Sequence, residues 1–78
     1  MPNFAIIGPH RLFFTSNDRQ EPAHIHVERD GMVAKFWLKP LRLAKSDRFA
    51  AHELGRMERI IEARYDEIME AWNEFSRR

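Results

Sequence analysis

"AHIHVERDGMVAKFWL" (23–38) decides the fold. Asp30-Gly31 lies between two runs of alternating apolar residues. A type I′ turn needs positive φ at both central positions, so Asp-Gly in this setting is a strong hairpin signal. A two-residue turn sets Arg29 against Met32 and dictates every pair behind it. Val27 then faces Ala34, Ile25 faces Phe36 and Ala23 faces Leu38, all on one apolar side. The other side pairs Glu28 with Val33, His26 with Lys35 and His24 with Trp37. Two of the four histidines therefore share a face with a carboxylate, a lysine and a tryptophan, away from the side that must be buried.

The rest of the chain reads outward from this hairpin. "NFAII" (3–7) is a short apolar run stopped by Gly8-Pro9, and "RLFFTS" (11–16) has the aromatic and β-branched content of a strand. "SNDRQEP" (16–22) is loop chemistry. Pro40 ends the last strand of the hairpin, and "LRLAKS" (41–46) reads as a connector with room for a short extended piece. Ser46 or Asp47 is placed to cap a helix. From Phe49 the apolar residues Leu54, Met57, Ile60, Ile61, Tyr65, Ile68, Met69, Trp72 and Phe75 recur at spacings of three and four, an amphipathic helical stripe. One helix of that length would overrun so small a domain, so the stripe reads as one helix or as two, the second reading with a break near Ala63–Asp66 and Asp66 as a second cap. The expected fold is α+β. An antiparallel sheet of three or four strands, with its hairpin at Asp30-Gly31, is followed by one or two C-terminal helices packed on the Ile25/Phe36 face. Residues 1–78 read as one domain.

Composition narrows the function classes. The 44% hydrophobic and 32% charged content is that of a chain able to form a core. Thirteen basic against twelve acidic residues leave a net charge of +1, without the strong positive field of a dedicated nucleic-acid binder. With no cysteine there is neither a disulfide framework nor a thiolate zinc site. No apolar run approaches a membrane span, and the first residues lack the pattern of a secretory leader, so a cytoplasmic protein is expected.

"EPAHIHVER" (21–29), "AKFWLKPLRLA" (34–44) and the later helical stretch ending "IMEAWNEF" resemble a widespread family of small prokaryotic domains of unknown function. The hallmark of that family is a Pro-Pro-His-x-His-Val stretch before a hairpin, followed by two helices. The motif falls here on Asp18, Pro22, His24, His26 and Val27. Ala23 stands where many members have a second proline, and Arg19 where many have histidine. The resemblance implies no settled activity. It implies a gene arrangement like a toxin–antitoxin pair, with a small cognate protein as partner.

The histidine pair supports three chemistries. As an acid–base pair, His24 and His26 with Lys35 outline a metal-independent ribonuclease, with Lys35 and Arg19 stabilising charge on a phosphate. As ligands, the two imidazoles on one strand face would take zinc, with Glu28, Asp18 or Glu21 completing the set, but His-x-His alone is weak and Lys35 lies close. The leading reading is structural or interfacial, without a cofactor. Here Asp18, Arg19, Glu28 and Trp37 join the histidines in a partner surface, and nucleic acid is a weaker candidate for it. The Met57, Met69, Trp72 and Phe75 stripe reads as core or as a homodimer surface, and the mixed charges of the helices as a solvated face.

Overall fold

A computed structural model describes residues 3–15 and 20–77. Among these residues five strands precede two helices. They are β1 (Asn3–Ile7), β2 (His10–Phe13), β3 (His24–Arg29), β4 (Met32–Leu38), β5 (Leu41–Ser46), α1 (Ala51–Ala63) and α2 (Tyr65–Ser76). The strands form one antiparallel meander in the order β1-β2-β3-β4-β5. The expected α+β architecture is present, with one strand more than the upper expectation, because 41–46 pairs fully along β4.

The β3–β4 hairpin has the register that its turn dictates, from Arg29↔Met32 to His24↔Trp37. Asp30 and Gly31 both adopt positive φ, at 53° and 80°, which glycine takes freely and aspartate tolerates. Leu38 N–H donates to the Ala23 carbonyl at 2.9 Å, extending the ladder one step beyond β3. A bulge between Lys35 and Phe36 shifts the pairing of β4 with β5, so Lys35 faces Lys45 while Phe36 faces Leu43.

The core lies between one face of this sheet and the helices. Leu12, Ile25, Val27, Ala34, Phe36 and Leu38 from the strands meet Met57, Ile61, Ile68 and Trp72, all buried. Trp72 thus belongs to the core, not to an exposed aromatic patch. Phe75, half-buried, stacks on Phe14 at 5.2 Å.

The helical stripe does break, at Arg64, whose φ of −119° leaves the helical region. Arg64 N–H reaches back to Ile61 O (3.1 Å), and Ile68 N–H takes the Arg64 carbonyl (2.9 Å). The Tyr65 hydroxyl donates to Leu38 O at 2.5 Å, tying the junction to the end of β4. Two expected caps differ. The residue before α1 is Ala50, with no side-chain cap. Asp47 is engaged elsewhere: its carboxylate accepts from Val33 N–H (2.8 Å) and its own N–H donates to Val33 O (2.9 Å), clamping the sheet edge. Asp66 lies with Glu67 in the first turn of α2, where the helix dipole favours negative charge, and Arg64 occupies the cap position.

Candidate functional site

Strand alternation sends Arg11, Phe13, His26, Glu28, Lys35 and Trp37 to the side of the sheet opposite the core. There they form a row. The Arg11 guanidinium lies 4.2 Å over the Phe13 ring, Phe13 stacks on His26 at 5.2 Å, and His26 meets His24 edge-on at 5.2 Å. His24 meets Trp37 at 5.7 Å, and the Lys35 ammonium sits 4.6 Å over Trp37. Each cation at the ends of the row is also held by a carboxylate, Arg11 by Glu28 and Lys35 by Glu21. Ring–cation contacts of this kind contribute about 0.5–1 kcal/mol each at a partly solvated surface.

The two histidines have different surroundings. His24 has no exposed surface. Its Nδ1 donates to the Pro22 carbonyl at 2.8 Å, and its ring lies 5.2 Å from Trp72 of α2, which reaches the end of β3. His26 is half-buried and lines a cleft of about 360 Å³ with Val33, Lys35, Lys45, Ser46 and Asp47. A molecule in that cleft meets His26 and Lys35, and not His24. Among the expected site residues, His26, Lys35, Glu28 and Trp37 share the open face, and His24 anchors it from within. Asp18 and Arg19 lie outside the described residues. Among the described residues no group of three or more His, Asp or Glu side chains is placed to hold a metal ion.

A second histidine cluster was not anticipated from the sequence. His10, at the start of β2, is buried, and its Nε2 donates to Glu53 of α1 at 3.0 Å. Arg29 of β3 clasps the same carboxylate through Nε and, at 2.9 Å, through Nη2. These donors, Arg29 foremost, lower the pKa of Glu53 to about 2 against the opposing effect of burial, and Glu53 in turn raises that of Arg29. Among the described residues His10 Nδ1 has no hydrogen-bond partner. The available signal was parity: His10 lies two residues from Leu12, and Arg29 two from Val27, so both point toward the helices. What could not be read was that α1 would bring a carboxylate there. Phe13 beneath His26, and Lys45 and Ser46 in the cleft, were also missed, because they depend on the β2–β3 and β4–β5 registers.

Fold and site together define a small α+β domain. Its antiparallel meander is covered by helices on one face and carries a row of rings and cations on the other. The chain belongs to the family described as Domain of unknown function (DUF4160), whose model matches residues 10–73. No curated protein and no solved structure matches the chain. Among the described residues no helix is long and apolar enough to cross a membrane.

Proposed function

We propose that the protein is a cytoplasmic binding module, one component of a toxin–antitoxin-like pair, that acts through a small cognate protein. The observation that carries this reading is the sheet face that neither helix covers, where His26, Lys35 and Trp37 stay partly exposed while both helices pack on the other side. Trp and Arg beside a polar rim are the residue types that anchor protein interfaces. Toward β5 this face is basic: Arg42 pairs with Trp37 and Lys45 with Lys35, and both Arg42 and Lys45 are exposed. The partner surface that fits it is acidic. The balanced charge of the whole chain favours such a protein over a nucleic acid.

Copurification with the product of a neighbouring small gene tests the proposal. A complex should form with the native chain and be lost with the double variant Arg42→Glu/Lys45→Glu at unchanged melting temperature. A complex indifferent to that variant would overturn the assignment of the surface. The ribonuclease reading keeps one supporting observation, the 5.2 Å separation of the His24 and His26 rings, against the complete burial of His24. Growth arrest on expression, relieved by His26→Ala with the fold intact, would put that reading in its place.

A further inference from the structure

The two edges of the sheet are finished differently. β5 carries Arg42 and Lys45 along its exposed edge, and such charges discourage a further strand from adding there. β1, the opposite edge, reads Asn3-Phe4-Ala5-Ile6-Ile7 and contains no charge at all. Ile6 is 70% exposed, the most exposed large apolar side chain among the described residues. It faces Arg11 across the ladder and so lies on the open side of the sheet. On the other side, a groove of about 330 Å³ runs between Phe4 and the α2 residues Glu67, Glu70, Ala71 and Glu74.

We infer that the β1 edge accepts an extended segment of a partner protein by strand addition, and that this segment alternates basic and apolar residues. Main-chain hydrogen bonds to the side of β1 that no described strand pairs would supply affinity, and the two faces of the sheet would supply specificity. Residues of the added strand that point toward the helices meet Glu67, Glu70 and Glu74 and are selected as cations. Those pointing the other way lie beside the exposed Ile6, where an apolar side chain gains burial. A second copy of the chain fits this edge poorly. Antiparallel β1–β1 pairing about a two-fold axis sets both α2 helices on the same side of the joined sheet, bringing their acidic rows together.

The probe is a short acetylated peptide alternating lysine and valine, titrated into the isotopically labelled protein. Amide shifts and slowed hydrogen exchange should concentrate in Asn3–Ile7 and on Glu67, Glu70 and Glu74. Affinity should fall about tenfold in Glu67→Lys/Glu70→Lys, and fall with added salt. Methylating alternate peptide nitrogens of the probe should abolish binding by removing ladder donors. Equal binding of a glutamate–valine peptide, shifts centred on β5, or concentration-dependent pairing of β1 without peptide would each overturn the inference.

Discussion

Each face of this sheet carries a histidine, a carboxylate and a cation, and the two sets are built in opposite ways. On the covered face, His10 and Arg29 converge on Glu53, a residue of α1, so the set exists only once the helix has docked. On the open face, His26, Lys35 and Trp37 come from two strands joined by a two-residue turn, and the hairpin alone brings them together. The covered set joins helix to sheet, with His10 buried and Arg29 still partly exposed. The open set is partly exposed as well, on the side of the sheet away from the core. The presence of a histidine beside a charged pair thus says little about function until its face is known.

The comparison can be broken or sharpened by substitution, and the largest effect belongs to neither set. Phe36→Ala empties the centre of the core beneath both and should cost about 3–5 kcal/mol, enough to consume much of the stability of so small a domain. Chemical denaturation reads this directly. His24→Ala should follow, at about 2–3 kcal/mol, since it removes a fully buried ring together with its hydrogen bond to the Pro22 carbonyl. A neutral His24→Ala would show that the open face is held together by His26 and Trp37 without it.

The covered set should reveal itself through pH. Glu53 has its pKa lowered from 4.5 to about 2, so its contribution is fully present above pH 4.5 and is lost as the pH falls through about 2. The melting-temperature difference between the native chain and Glu53→Gln should therefore be greatest above pH 4.5 and narrow toward pH 2. A difference that stays constant with pH would mean that the contribution of Glu53 does not depend on its ionisation. The smallest effect is expected from Lys35→Ala, under about 1 kcal/mol, because its contacts with Trp37 and Glu21 lie at the surface. That variant should act on partner binding far more than on melting.

Much of the fold was legible in the residues themselves. Asp30-Gly31 is a local signal with a local cause, and from it the whole β3–β4 register followed by alternation. The stripe from Phe49 to Phe75 likewise announced helix, and its excess length raised a break near Ala63–Asp66 without deciding between one helix and two, which the structure settles at Arg64. The fifth strand was harder to see, because Leu41–Ser46 has the composition of a connector and pairs only because β4 offers it an edge. Asp47 looked like a helix cap and instead became a clamp on Val33, since β5 brings it within reach of that backbone.

The sequence by itself determined which residues share a face, because strand and helix periods are properties of neighbouring positions. It determined that His24, His26, Lys35 and Trp37 would be companions. Only the tertiary structure decided that Trp72 would cover His24, that Glu53 would meet His10 and Arg29, and that β1 would be left as an uncharged edge beside an acidic helix. Those three outcomes depend on where the helices dock, which is settled by packing between residues far apart in the chain.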